Sequence, residues 1–167
     1  MRISRKNLLL TASLLIALRW VFGEDAPSSA MQQLQQLDKA DSVVSIAREY
    51  LGTPYRYGST APEKGFDCSG FVWVVMKKAG VAVPRSSRGY AGFGEEIPLE
   101  ECRKGDVLVF SATNNSQIGH VGIVISEEGE PVRFIHASSS KKHPGVVITD
   151  YNKSWYIKRF KFATRVL

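Results

Sequence analysis

The chain has 167 residues, of which 44% are hydrophobic and 23% are charged, values typical of a globular domain that needs no metal or disulfide to build its core. The formal net charge is +6, but four basic residues lie in the first 23 positions, where there is no acid. Subtracting these four leaves only +2 for the rest of the chain. Such a small excess gives no ground for a nucleic-acid partner.

Residues 1–23 have the pattern of a secretory signal peptide. A basic start precedes a short apolar run from Leu8 to Ala17, and small residues suited to cleavage lie at 21–23 and 28–30. The run is short for a membrane span, and Arg19 interrupts its end. We therefore expect an exported protein, with an uncleaved membrane anchor as the alternative. Because no cysteine follows the apolar run closely, a lipid-modified N-terminal cysteine is not expected.

Two helices are predicted in the first half of the chain. Residues 24–40 are polar and Gln-rich, which indicates a linker or a frayed helix. Asp41 or Ser42 is expected to cap the first helix, which would end at Gly52. After a loop, the second helix is predicted from about Cys68 to Ala79. Its interior is apolar nearly all round, which indicates a buried central helix.

The second half of the chain has the pattern of β-strands, rich in β-branched and aromatic residues and separated by turn signals. Helices followed by a run of strands indicate an α+β fold with an antiparallel sheet, in one domain spanning 41–167. The predicted strands are 106–110, 120–126, 132–137, 146–150 and 156–166.

Cys68 is the candidate nucleophile because it lies where a glycine-containing loop becomes a helix. The positive end of the helix dipole and the free backbone N–H groups there are expected to lower the pKa of the thiol. The same N–H groups could stabilise an oxyanion. The alternative is a structural cysteine, but Asp67, Ser69 and Gly70 form a small, polar setting unlike a core.

Two histidines are candidates for the base that a cysteine nucleophile needs. His120 begins one predicted strand and His136 lies near the end of another. If these strands pair, both side chains fall at the same end of the sheet, and His136 could orient the ring of His120. His143 lies in a turn and is expected to be exposed.

Competing roles for the cysteines and histidines are a zinc site and a disulfide. No two of these residues have the short spacing of structural zinc sites, so we expect no metal. Cys102 lies in a polar turn, LEECRKGD, and we expect it to be unpaired.

The segments GFDCSGF, GDVLVF and HVGI, in this order, resemble the NlpC-type cell-wall peptidases of the papain-like superfamily. The resemblance extends over most of the domain, from YLGTPYRYG at 50–58 to FIHASSSKKHPGVVI at 134–148. It implies a papain-like fold with the nucleophile at the start of a buried helix, packed on a five- to six-stranded antiparallel sheet. Ser59, a longer loop before Cys68 and Gly119 in place of a more typical serine depart from the family pattern.

The resemblance also implies the roles of individual residues. Cys68 would be the nucleophile, His120 the base and His136 the orienting residue, with Tyr55 near the oxyanion site. The residues expected to border or bind the substrate are Asp67, Ser69, Arg85 and Ser87.

The activity implied is hydrolysis of peptidoglycan stem peptides at the γ-D-glutamyl–diamino-acid bond, without a cofactor. An amidase or acyltransferase on the same scaffold and a non-catalytic wall-binding module are the alternatives. The expected partner is peptidoglycan or its muropeptide fragments, bound by a monomer, with no nucleic acid and with the membrane only through an uncleaved N-terminus.

Overall fold

The computed structural model describes residues 28–113 and 116–167, with side chains from Met31 onward. The predicted signal peptide, and its alternative as an anchor, lie outside the described residues. Contacts divide the chain after Leu37, and residues 38–167 form one compact unit. No helix in the described part of the chain combines the length and apolarity that crossing a bilayer requires.

The first helix, α1, spans Ser28–Glu49 and so begins much earlier than the sequence suggested. Asp41 and Ser42 lie inside it, and the prediction that one of them caps the helix was wrong. Residues 28–40, predicted to be a linker or a frayed helix, are helical. Met, Gln, Leu and Ala dominate this stretch, and their helix propensity explains why a weakly patterned sequence still forms a helix.

The second helix, α2, spans Cys68–Lys78, as predicted to within one residue. Its N-cap is Asp67, whose Oδ1 accepts a hydrogen bond from the backbone N–H of Gly70. Gly80 follows the helix with φ of 74°, the left-handed conformation that glycine adopts readily after a helix end. Four apolar side chains of α2 are fully buried, which confirms its central position: Phe71, Val72, Val75 and Met76.

The strands of the described residues are Thr60–Ala61 (β1), Gly65–Phe66 (β2), Glu95–Ile97 (β3), Val107–Ser111 (β4), Ile118–Val124 (β5), Arg133–Ser138 (β6), Gly145–Asp150 (β7) and Phe160–Arg165 (β8). The last six form the main sheet, which is antiparallel throughout and has the order β3-β8-β4-β5-β6-β7. A separate two-stranded ribbon, β1-β2, precedes α2.

The last predicted strand, 156–166, was too long at its start. Trp155–Arg159 forms a 3₁₀ helix, and only Phe160–Arg165 joins the sheet. The hydroxyl of Ser154 accepts a hydrogen bond from the backbone N–H of Tyr156, so a local cap overrides the β-propensity of this aromatic stretch.

Both faces of the sheet are covered by apolar side chains. Val107 and Val109 of β4 pack in the cluster that contains α1 and α2, whereas Leu108 and Phe110 pack in a second cluster on the other face. This alternation follows from the period of two along a strand. The sheet therefore lies between two apolar clusters.

Candidate active site

Cys68 is the first residue of α2, and its side chain points at strand β5. The residue is 7% exposed, and its Sγ donates a weak hydrogen bond to the carbonyl oxygen of Gly119 at 3.8 Å. Gly119 directly precedes His120, and the backbone N–H of Val121, which directly follows it, also interacts with the sulfur. The fold thus places the thiol against the backbone of the strand segment that carries His120.

Burial raises the pKa of the Cys68 thiol, and the nearby Asp67 carboxylate raises it further. The backbone N–H groups of Val121, Ser69 and Cys68 act in the opposite direction but do not offset burial. The expectation of a lowered pKa therefore fails for the free protein, because a helix start that is enclosed by a sheet loses solvation of the anion. The resting sulfur is a neutral thiol.

His120 and His136 lie on the neighbouring strands β5 and β6 and contact each other directly. Nε2 of His120 is 2.9 Å from Nδ1 of His136, and both side chains are buried. The β5–β6 ladder covers only Ile123↔Ile135 and Val124↔Phe134, so the ring-to-ring contact joins the strands beyond their backbone pairing. Since Nε2 is engaged, Nδ1 is the nitrogen of His120 left for proton exchange with another group.

The pKa of each histidine is lowered, so both imidazoles are neutral at physiological pH. For His120 the cause is burial first, then the neighbouring His136 and Arg159, and the pKa falls well below its ordinary value. For His136, burial and Arg159 lower the pKa to about 3. A neutral imidazole, carried by the strand segment against which the neutral thiol packs, suits general-base catalysis, in which the proton moves as the sulfur attacks.

Three residues around the histidine pair were not identified from the sequence. The hydroxyl of Thr149, on β7, lies 3.0 Å from Nε2 of His136. The ring of Tyr156 stacks on His120, and the guanidinium of Arg159 lies over Tyr156. Tyr156 and Arg159 fall in the stretch wrongly predicted as a strand. Thr149 could have been found from the register, since alternation puts it on the same face as Val147, the partner of His136.

Asp67, Ser69 and Arg85 form a polar cluster beside the nucleophile. Arg85 makes a bidentate contact with Asp67, at 3.1 Å to Oδ1 and 2.8 Å to Oδ2. The Ser69 hydroxyl donates to Oδ1 of Asp67 at 3.2 Å and accepts from Arg85 at 3.2 Å. The carboxylate raises the pKa of Arg85, which stays charged. Asp67 therefore both caps α2 and anchors a charged group at the cleft.

A cleft of about 470 Å³ opens over the sulfur. It is lined by all the residues predicted to border the substrate and by several more: Tyr55, Tyr57, Gly58, Asp67, Cys68, Ser69, Arg85, Ser86, Ser87, Arg88, Ala112, Ile118 and Gly119. Burial, followed by the nearby Cys68 sulfur and Asp67 carboxylate, raises the pKa of Tyr55 to about 12. Its phenol stays protonated and can donate a hydrogen bond into the cleft.

The remaining cysteine and histidine take no part in the cleft. Cys102 is 1% exposed although the surrounding turn is polar, and burial raises its pKa to about 12. Both cysteines are free thiols. His143 is exposed, as predicted. In the described ranges, no three His, Cys, Asp or Glu side chains come together as metal ligands would.

A buried cysteine at a helix start, packed against the strand of an antiparallel sheet that carries a buried histidine pair, is typical of a cysteine peptidase of papain-like fold. The family model described as "NlpC/P60 family" matches residues 52–165. The chain belongs to the NlpC/P60 family, and the resemblance drawn from its motifs is confirmed.

Among its relatives, the chain is 41% identical over 101 residues to the gamma-DL-glutamyl hydrolase of Bacillus subtilis, covering 60% of this chain and 24% of the relative. It is 32% identical over 135 residues to the murein DD-endopeptidase MepS/murein LD-carboxypeptidase of Escherichia coli, covering 80% and 66%. A crystal structure of an NlpC/P60 family protein from Bacillus cereus superposes with a TM-score of 0.67 at 30% identity, covering 77% of this chain and 40% of that one.

Proposed function

We propose that this protein is an endopeptidase of peptidoglycan stem peptides that cleaves the γ-D-glutamyl–diamino-acid bond. The observation that carries the proposal is the placement of the Cys68 thiol against the backbone of residues 119–121. In the same strand segment, Nε2 of His120 is hydrogen-bonded to Nδ1 of His136. Membership of the family supports the chemistry. The name of the Bacillus relative, a gamma-DL-glutamyl hydrolase, supports the type of bond.

The first half of the reaction uses the neutral thiol and imidazole. As Sγ of Cys68 attacks the carbonyl carbon, its proton passes to Nδ1 of His120, and the carbonyl oxygen becomes an oxyanion. The backbone N–H groups at the start of α2 and the phenol of Tyr55 donate hydrogen bonds to it. The imidazolium of His120 then gives its proton to the leaving amine, the C–N bond breaks, and an acyl thioester remains on Cys68.

The second half regenerates the enzyme. Nδ1 of His120 accepts a proton from water, the hydroxide attacks the thioester, and the C–S bond breaks. The sulfur recovers its proton from His120, and the product leaves with a free γ-carboxyl group, which loses its own proton to solvent. Every proton is returned, so the cycle needs no metal, redox partner or cofactor.

Substrate binding is assigned to the cluster at the cleft. The carboxylate of Asp67 and the hydroxyl of Ser69 would hold the amine-bearing and D-glutamyl groups of the acyl half, and Arg85 and Ser87 would border the same half. Asp67 is 7% exposed and Ser69 6%, so an amine that reaches them loses much of its water and interacts strongly with the carboxylate. We place this activity in a bacterial envelope, and a signal peptide at residues 1–23 would deliver the protein there.

Two alternatives concern the bond and the acceptor. The name of the Escherichia coli relative, a murein DD-endopeptidase and LD-carboxypeptidase, supports cleavage of a different peptide bond of the wall. An amidase or acyltransferase would use the same thioester with a different acceptor. A non-catalytic wall-binding module is disfavoured, because the nucleophile, the base and the orienting residue are all present.

The test is product analysis on defined muropeptides by mass spectrometry, with Cys68→Ala as the inactive control. A new free amine on the diamino acid supports the proposal. Cleavage between D-alanine and the diamino acid of a cross-link would assign the DD bond instead, and a product joined to an added amine would indicate transfer. Equal cleavage by Cys68→Ala would overturn the proposal.

A further inference from the structure

The two imidazoles and the Thr149 hydroxyl are joined in series by two hydrogen bonds. Nε2 of His120 and Nδ1 of His136 are 2.9 Å apart, and Nε2 of His136 and Oγ1 of Thr149 are 3.0 Å apart. The pKa of each imidazole is depressed, so each ring carries one proton. Two rings with one proton each, joined nitrogen to nitrogen, have two consistent arrangements.

In the first arrangement, Nε2–H of His120 donates to Nδ1 of His136. The single proton of His136 then lies on Nε2 and points at Thr149, whose oxygen accepts it. Nδ1 of His120 is left as a bare lone pair. This is the only arrangement in which His120 can take the proton of the Cys68 thiol through Nδ1.

In the second arrangement, Nδ1–H of His136 donates to Nε2 of His120, and Thr149 donates its hydroxyl proton to the bare Nε2 of His136. His120 then carries its proton on Nδ1 and has no lone pair there. The protonation of Nδ1 of His120 is therefore linked to Thr149, whose hydroxyl accepts a hydrogen bond in the first arrangement and donates one in the second.

The sheet fixes this contact. His136 pairs with Val147 across the β6–β7 ladder, and Thr149 pairs with Phe134, so all four side chains share one face. The ring of Phe134 stacks on that of His136 with centroids 4.8 Å apart, which restricts rotation of the imidazole. Thr149 does not line the cleft over Cys68, so it can act on the reaction only through the rings.

We propose that Thr149 is a positioning residue, whose oxygen accepts the Nε2–H of His136 and so holds both rings in the tautomers that leave Nδ1 of His120 free to act as the base. The assignment rests on the proposed role of His120. It predicts that an acceptor at position 149 is required for turnover but not for substrate binding.

The experiment compares Thr149→Val, which keeps the shape and removes the oxygen, with Thr149→Ser, which keeps the oxygen. For Thr149→Val we expect kcat to fall about 10- to 100-fold, because the buried Nε2–H is left unsatisfied and the other tautomer becomes competitive. KM should stay within about twofold, and Thr149→Ser should stay within about threefold of the parent kcat. Thr164→Val is the matched control, since Thr164 is also on a strand and donates to the carbonyl of Phe93 at 2.7 Å, in the same compact unit.

The second readout is the tautomer itself, measured by NMR on protein with ¹⁵N-labelled histidine. We expect the proton on Nε2 of both rings in the parent and a shift toward Nδ1 in Thr149→Val. A parent His136 with its proton on Nδ1, or a Thr149→Val variant with parental kcat, would overturn the inference. So would equal losses in Thr149→Val and Thr149→Ser. A parent that cleaves no muropeptide refutes the proposed function instead, while the NMR result still decides the role of Thr149.

Discussion

The ring of Tyr156 lies nearly parallel to that of His120, with centroids 5.2 Å apart and an angle of 25° between the planes. The same ring meets His136 edge-on at 5.0 Å, so one aromatic side chain covers both imidazoles. Burial raises the pKa of the Tyr156 phenol, so its hydroxyl stays protonated beside the imidazoles. Tyr156 therefore contributes to the burial that keeps His120 neutral.

Replacing Tyr156 with alanine should impair turnover, because it admits water to the imidazole pair and frees the ring of His120 to rotate. We expect kcat for muropeptide cleavage to fall roughly 10-fold or more for Tyr156→Ala and much less for Tyr156→Phe, which keeps the stacked ring. Ile157→Ala is the control, since the neighbouring Ile157 is 48% exposed. Parental kcat in Tyr156→Ala would show that the ring has no part in positioning His120.

Arg159 should help to determine the lowest pH at which the enzyme is active. Its guanidinium is held by two hydrogen bonds to the carbonyl of Ser111, at 2.9 Å and 2.5 Å. From there its positive charge adds to the lowering of the pKa of His120 and His136. Arg159→Met removes a charge that opposes the imidazolium, so the pKa of His120 should rise.

The measurement is the pH profile of kcat/KM. Since His120 must be neutral to act as a base, the parent should keep its activity at mildly acidic pH, below the ordinary histidine range. In Arg159→Met the acid limb should move to higher pH. An unchanged limb, or one displaced to lower pH, would contradict the electrostatic role of Arg159. Lys158→Met, a change at an exposed neighbour, serves as the control.

The reactivity of the two thiols should differ in rate and in pH dependence. Cys68 borders an open cleft, whereas Cys102 is 1% exposed with a pKa of about 12, so iodoacetamide should label Cys68 first. Because the pKa of Cys68 is raised, its labelling rate should climb about tenfold per pH unit through neutrality, following the thiolate fraction. A rate that is flat between pH 5 and 7 would instead indicate a preformed thiolate–imidazolium pair, and would refute the neutral resting state.

Asp67→Asn should weaken substrate binding while leaving α2 intact. The amide oxygen still accepts the hydrogen bond from Gly70, so the helix cap survives, but the negative charge that binds Arg85 and the proposed substrate amine is lost. We expect KM for muropeptides to rise about 10-fold, with a smaller effect on substrates whose amine is acetylated. Asp150→Asn is the matched control, because Asp150 also caps a helical turn, before Tyr151–Lys153, and pairs with Lys153. An equal rise in KM in both variants would refute the binding role.

The architecture was predictable where the hydrophobic periodicity agreed with the capping and turn residues that mark the ends of an element. The helix α2 follows from its apolar interior and from Asp67 and Gly80 at its ends, and five strands of the sheet follow from alternating or continuous apolar runs. The start of α1 was missed because Gln-rich helical sequence lacks an apolar stripe. The short strand Glu95–Ile97 was missed because three residues carry no periodic signal.

The site was predictable as a set of residues but not as an electrostatic environment. Cys68, His120, His136 and Asp67 stand out because their types and positions suit a known chemistry. Tyr156, Arg159 and Thr149 are ordinary residues that gain a role only when the sheet brings them to the imidazoles. The sign of the pKa change at Cys68 depends on how deeply the helix start is enclosed, which no local pattern reports.

The most direct test of the account is to trap the acyl enzyme. A defined muropeptide mixed with the parent protein, quenched in acid and digested, should give a peptide containing Cys68 whose mass is increased by that of the acyl half joined as a thioester. The increase should be absent in Cys68→Ala and should never appear on the Cys102 peptide. Cleavage of the muropeptide without any adduct on Cys68, together with retained activity in Cys68→Ala, would contradict it.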